Sequence, residues 1–255
     1  MNENKFFIWD SKWDVACIGS NSETLAFSVE HFINCAKEAI TKKGCFTVAL
    51  SGGSTPQAIY KLLCSEKYLS SVDWQKCFFF WSDERAVAPT SSESNFFSAM
   101  ESGLKKLNTP AKQIHRMEAE QDISANAQKY EVLINNILGT DPFDLIMLGM
   151  GDDGHTASLF PGTKALDEQN RLVCANYVPQ KKVWRMTFTY RCINSAENIV
   201  IYVLGNSKAQ TLEKVFITEK DQFPISHVGT NKNKALWVMD NDACALIKKH
   251  KNNTH

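Results

Sequence analysis

Apolar residues at Leu25, Val29, Phe32, Ile33, Ala36 and Ile40 recur at the spacing of one helix face, which predicts an amphipathic helix over Ser22 to Lys43. Gly44 stops it. Cys45 to Leu50 then reads as a strand buried on both faces, because its apolar character hardly breaks. After the loop Ser51-Gly52-Gly53-Ser54, Thr55 suits an N-cap and Pro56 the first helical position, so a helix is expected to about Cys64. Cys77 to Trp81 and Phe143 to Leu148 repeat the short apolar run. Helical patterns near Glu93 to Gly103 and over Asp122 to Leu138 separate them. Further strands are predicted at Arg171 to Tyr177, Trp184 to Tyr190, Glu197 to Leu204 and Ala235 to Met239. Further helices are predicted at Asn206 to Ile217 and Asp242 to Lys249.

Strands alternating with helices define an α/β class, Rossmann-like, with a mainly parallel sheet and helices on both faces. No repeat, linker or low-complexity stretch divides residues 1–255, so a single domain is expected, ending in a polar, frayed tail at residues 248–255. Ligands of such sheets collect beyond the carboxyl ends of the strands. Three polar turns follow strands at that end: Ser51 to Thr55, Ser82 to Arg85 and Gly149 to His155. Their convergence on one crevice is the central structural expectation.

Composition narrows the classes. Lysine plus arginine and aspartate plus glutamate number 28 each, so there is no broad basic field of the kind a general nucleic-acid binder carries. The start of the chain lacks a signal-peptide layout, and no apolar run approaches the roughly 18 residues of a membrane span. A cytoplasmic protein without nucleic-acid or membrane partners is expected, as a monomer or weak homo-oligomer. The eight cysteines contain no CxxC pair and read as small buried hydrophobes of a reducing compartment.

The most telling turn is Gly149-Met150-Gly151-Asp152-Asp153-Gly154-His155, where three glycines permit close approach to a ligand and an imidazole follows two acids. His155 is the candidate base, and Asp153 is placed to orient its ring. Asp152 is expected to face solvent or support the turn. In Ser51-Gly52-Gly53-Ser54-Thr55 the glycines let backbone N–H groups point inward at the start of a helix, which suits an oxyanion. The spacing fits neither an NTP loop nor a dinucleotide fingerprint. Arg85 can clamp a phosphate through paired donors, and Asp83 or Glu84 can bind hydroxyls or move protons. The same triplet also reads as a solvated charged turn. Lys208, in the first turn of a helix, opposes the helix dipole unless an anion lies nearby. No His or Cys cluster has metal-ligand spacing, so no metal is expected.

These motifs, together with Ser94-Asn95, Ser158-Leu159-Phe160-Pro161-Gly162, Arg185-Met186-Thr187 and Gly205-Asn206-Ser207-Lys208-Ala209, stand in an order that closely resembles the 6-phosphogluconolactonases of the glucosamine-6-phosphate isomerase family. The resemblance runs over nearly the whole chain. It implies a sugar-phosphate isomerase/deaminase-like fold, no required cofactor, and a small phosphorylated sugar lactone as partner. It also implies hydrolysis of 6-phospho-D-glucono-1,5-lactone in the oxidative pentose phosphate pathway. Carried onto this chain, it makes His155 the general base, Asp153 its partner, and Ser51, Gly52, Gly53, Ser54, Thr55, Arg85 and Lys208 the phosphate site. Asp83 and Arg185 become substrate contacts. Relatives usually carry a lysine and a proline run before that arginine, whereas this chain has Pro179-Gln180-Lys181-Lys182-Val183-Trp184, which leaves Lys181 and Lys182 as alternatives. Glucosamine-6-phosphate deaminases share the glycine loop and the Asp-Gly-His turn, but place a glutamate five residues beyond the histidine. Phe160 stands there in this chain.

Overall fold

The computed structural model describes residues 5–253. The expectations on Met1–Asn4, Thr254 and His255 lie outside them. Ten strands occur among the described residues: β1 Phe6–Ile8, β2 Trp13–Cys17, β3 Phe46–Leu50, β4 Cys77–Trp81, β5 Asp83–Arg85, β6 Leu145–Leu148, β7 Val173–Val178, β8 Val183–Phe188, β9 Ile199–Val203 and β10 Ala235–Met239. The α-helices are α1 Asn21–Lys43, α2 Ser54–Leu63, α3 Asn95–Glu101, α4 Ile123–Leu138, α5 Tyr190–Ile193, α6 Ala209–Glu213 and α7 Ala245–Asn253.

Seven strands form one sheet in the order β1-β2-β10-β9-β6-β3-β4, parallel throughout except for the β1 edge. Three of its inner strands, β9, β6 and β3, are buried at every position, as continuous apolar runs require. In register, Leu50 lies beside Trp81, and Leu148 beside Ile201. All four strands therefore release their following loops at one edge. β1 and β2 were not foreseen, since three residues and the mixed Trp-Asp-Val-Ala-Cys run give little pattern.

A second, three-stranded antiparallel sheet, β5-β8-β7, is also new. It corrects the reading of Ser82 to Arg85 as a charged turn. Asp83 and Glu84 are strand residues and buried, because hydrogen-bond partners from distant segments meet them there.

Helix ends follow local chemistry. Ser20 and Glu23 form a capping box at α1, and Gly44 closes that helix with φ 84°. The N-cap of α2 is Gly53, not Thr55 as expected. Its φ of 103° suits glycine, and the helix therefore starts at Ser54. The segment from Asn206 opens as a tight turn over Asn206–Lys208, continues as α6 and widens to a π-turn over Lys214–Thr218. α7 runs on through Lys248 to Asn253 where a frayed tail was expected, and Lys251 Nζ lies 3.7 Å from the Phe7 ring centroid.

The core centres on the large sheet. Trp13, Phe216 and Trp237 cluster on one side, with Trp237 edge to face against both partners, and Phe80, Phe143 and Phe188 cluster on another, with Phe80 edge to face against Phe143. One cysteine expectation is corrected. Cys17 and Cys244 form a disulfide with a Cα–Cα separation of 6.5 Å. The parallel pairing of β2 with β10 sets Cys17 beside Met239, just before the turn that carries Cys244. The other six cysteines are free and buried or half-buried, and burial pushes the Cys35, Cys77 and Cys174 thiols up to about 12. No helix among the described residues is long and apolar enough to cross a membrane.

Candidate active site

The loops after β3, β6 and β9 meet β5 and β8 around a cleft of about 380 Å³. Ser51, Gly52, Gly53, Ser54, Thr55, Asp83, Arg85, His155, Arg185 and Lys208 all line it. A slightly larger hollow of about 420 Å³ near the start of β6 contains none of them.

The glycine loop is held rigidly from behind. The Tyr60 hydroxyl accepts from Ser51 N at 3.0 Å and donates to Ser51 O at 2.8 Å. No acceptor among the described residues takes the amides of Gly52, Gly53, Ser54 or Thr55, so four donors are left untaken in a loop that lines the cleft. A Cβ on Gly52 would lie 1.9 Å from Asn95 Oδ1, so only glycine fits against that side chain.

Opposite the loop stand two arginines that β5 and β8 pair directly, Arg85 against Arg185. Like charges facing one another across strands repel. Both Nε atoms are buried without a partner among the described residues. Burial pulls the Arg185 guanidinium below its ordinary value, and Arg85 adds to this against the attraction of Asp83. An anion between them would satisfy the donors and relieve the repulsion. Arg85 also donates through Nη1 to Glu93 O, which fixes its reach.

Beneath them runs a buried polar network. Asp83 accepts from Asn95 Nδ2 at 3.0 Å and from Ser158 Oγ at 2.6 Å. Glu84 accepts from Ser94 Oγ and from the amides of Arg85, Asn95 and Phe96, all within 2.9 Å. Burial pushes the Glu84 carboxyl above its usual range, with those donors opposing the shift.

The glycine turn delivers the imidazole. Gly154, with φ 70°, has Phe223 packed where a Cβ would be, and a Cβ on Gly151 would lie 2.0 Å from His155 Nδ1. Asp153 Oδ1 lies 2.5 Å from His155 Nδ1 and also accepts from His155 N at 3.2 Å. Burial acts to raise the Asp153 carboxyl, but the hydrogen bond and charge of His155 prevail and hold it below its ordinary value. With Nδ1 engaged, Nε2 is the ring nitrogen left for chemistry. The turn's own amides are partly used: Gly151 N donates to His155 O and Gly154 N to Gly151 O.

Lys208 meets the anion that its position demanded. Its Nζ lies 2.5 Å from Asp152 Oδ1 and donates to Met150 O at 3.1 Å. Asp152 is therefore exposed, as expected, and is also the counter-ion of Lys208. Gly205 N donates to both oxygens of buried Asp240, which fastens the loop that carries this lysine. Of the two alternative lysines, Lys181 lines the cleft and Lys182 does not.

The family model for glucosamine-6-phosphate isomerases/6-phosphogluconolactonase matches residues 20–237. The chain belongs to this family. It is 44% identical to the 6-phosphogluconolactonase of Chlamydia pneumoniae over 211 residues, covering 82% of this chain and 80% of that one. A 6-phosphogluconolactonase structure from Thermotoga maritima superposes with a TM-score of 0.77 at 28% identity, covering 90% of this chain and all of that one. A monomeric glucosamine-6-phosphate deaminase gives a TM-score of 0.76 at 20% identity over 91% of this chain and 99% of that one. The shared fold thus leaves the two reactions of the family to be separated by side chains.

Glu84, read in the sequence as a group for hydroxyls or protons, is instead engaged by Ser94, Asn95 and Phe96. Asn95, quoted only within the Ser94-Asn95 motif, shapes the floor beneath the arginines with it, behind the Ser94 cap that accepts from Phe97 N. Phe160 stacks on His155 with ring centroids 4.0 Å apart and 18° between planes. Its sequence signal was only its offset from the histidine.

Proposed function

We propose that this protein hydrolyses 6-phospho-D-glucono-1,5-lactone to 6-phospho-D-gluconate, the lactone-opening step of the oxidative pentose phosphate pathway. The observation that carries the reading is one cleft holding a carboxylate-backed imidazole beside four untaken amides and two arginines with unpartnered Nε atoms.

In this reading the phosphate binds the amides of Gly52 to Thr55, Arg85 and Lys208, with Asp83 and Arg185 as further substrate contacts. Anchoring there presents the C1 carbonyl to His155, so remote binding supplies orientation at the reacting carbon. His155 Nε2 takes a proton from water as the water oxygen bonds to C1. The tetrahedral oxyanion then collapses, the bond from C1 to the ring oxygen breaks, and the imidazolium returns the proton to that oxygen. Asp153 holds the ring and stabilises its charged form throughout. Proton transfer of this kind contributes about 10²–10⁴-fold, which suits an already labile ester. No covalent intermediate is needed.

Phe160 favours this chemistry over deamination. Its phenyl ring occupies the space beside the base and cannot relay a proton. The test couples glucose 6-phosphate oxidation to lactone disappearance with and without the protein. Lactone should vanish faster than in the blank, and His155→Ala should abolish that gain while 6-phosphogluconate still binds. Undiminished kcat in His155→Ala, with spontaneous hydrolysis subtracted, would rule the base out. Ammonia released from glucosamine 6-phosphate would transfer the protein to the other reaction.

A further inference from the structure

Immediately after the histidine the chain doubles back. Ala157 takes φ 47°, one of three non-glycine residues in the left-handed region among the described residues, and it lines the cleft. Thr156 and Leu159 pair as an isolated antiparallel bridge, closed by Leu159 N donating to Thr156 O at 2.9 Å. Ser158 is pinned by its hydroxyl on Asp83 and by its amide on Thr187 Oγ1. This tight reversal brings Phe160 back against the imidazole five residues earlier. Strain of this type persists where the surroundings over-determine it, and it concentrates at functional sites.

Phe160 does not owe its burial to the main core. It is 1% exposed, yet it stands outside the contiguous cluster of buried apolar side chains that fills the molecule. Its face meets His155 instead, 4.0 Å away and nearly parallel. Lys181 Nζ lies 5.8 Å from the centroid of the same phenyl ring. The Asp153 contact alone fixes one nitrogen of the imidazole and leaves rotation about that hydrogen bond. A flat ring stacked on the imidazole removes that freedom.

We infer that Phe160 is a positioning residue for the reaction: it fixes the plane of the His155 ring and favours the imidazolium formed when the base takes the proton of water. The inference rests on the lactonase reading, in which His155 is that base. A ring quadrupole attracts a cation on its face, so the contact strengthens as His155 becomes charged. Phosphate anchoring lies elsewhere in the cleft and should not depend on it.

Two substitutions and one spectroscopic readout test this. Phe160→Leu should lower kcat by about tenfold or more, while KM and the Kd for 6-phosphogluconate stay within about twofold. Phe160→Tyr, which keeps the flat face, should restore kcat to within about twofold of the unsubstituted protein. In proton NMR of the unsubstituted protein, the His155 ring protons should be shifted upfield by the phenyl ring current and show cross-relaxation to Phe160. That measurement needs no variant to fold. An unchanged kcat in Phe160→Leu, a loss that tyrosine does not restore, or absence of the ring-current shift would each overturn the inference. If the unsubstituted protein fails to hydrolyse the lactone above the blank, the lactonase reading falls instead, and the NMR result still reports on the stack.

Discussion

The two sheets solve the problem of burial in opposite ways. The seven-stranded sheet buries mainly apolar runs, with Thr47 bonded to Asp144 at the start of β3 as a polar exception. Its inner strands β3, β6 and β9 contribute no charged group to the cleft. The three-stranded sheet buries carboxylates, amides and hydroxyls: Asp83, Glu84, Asn176 and Thr187 are all nearly inaccessible. Asn176 Nδ2 donates to Ser158 O and Thr163 Oγ1, so even the far strand is tied into the loop behind the histidine. One sheet supplies a rigid edge, and the other aims polar groups across it. The difference teaches that stability and chemistry here reside in different layers, joined where Ser82 N donates to Leu50 O.

That division is open to attack at three strengths. The largest effect is expected from Trp237→Ala in the large sheet, where the indole is fully buried against Trp13 and Phe216. It should cost about 3–5 kcal/mol in denaturant melts. Whatever fraction remains folded should keep its KM, because the ring packs against Trp13 and Phe216, neither of which lines the cleft. A changed KM would break the comparison.

Glu84→Ala in the small sheet should cost less, roughly 2–3 kcal/mol, by stranding Ser94 Oγ and three amides. Affinity for 6-phosphogluconate, read by calorimetry, should fall with it, since Asn95 and Arg85 lose their support. Glu84→Gln keeps one acceptor oxygen and should sit between the two. Loss of stability without loss of affinity would show the small sheet to be ordinary scaffold.

The smallest effect is expected from Asp153→Asn. The Asp153 carboxyl lies below its ordinary value of 3.8 in the folded protein, so its ionised form stabilises the fold. That contribution is complete above the ordinary value and is lost as the pH falls through the lower folded value. Melting temperatures of the two proteins should therefore differ slightly at neutral pH and converge in acid. The side chain is nearly half exposed, so the neutral-pH gap should be under about 1 kcal/mol. Turnover should fall far more than stability does.

The same division explains how much of the molecule was legible in the sequence. Strands β3, β4, β6 and β10, and helices α1 and α4, announce themselves through local periodicity, and their elements appear where that pattern puts them. The glycine loop, the histidine turn, Arg85 and Lys208 were legible as motifs, and parallel register brings them to one edge. In the small sheet β7 and β8 were legible as strands, but β5 and its antiparallel pairing with β8 were not. Asp83-Glu84-Arg85 has the composition of a surface turn, and what buries it arrives from Ser94, Asn95 and Ser158, up to 75 residues away. No local window contains that information. The Cys17–Cys244 disulfide spans 227 residues and is silent for the same reason. Gly53 rather than Thr55 caps α2 because a left-handed backbone decided the boundary, and residue preference alone does not report it.

The double tie between Tyr60 and Ser51 has one more consequence. A loop wired to the helix it precedes is ordered when the chain folds, not when a ligand arrives. The entropy of immobilisation is thereby removed from the encounter, and incoming anions meet a fixed set of amides whose discrimination is by shape and charge.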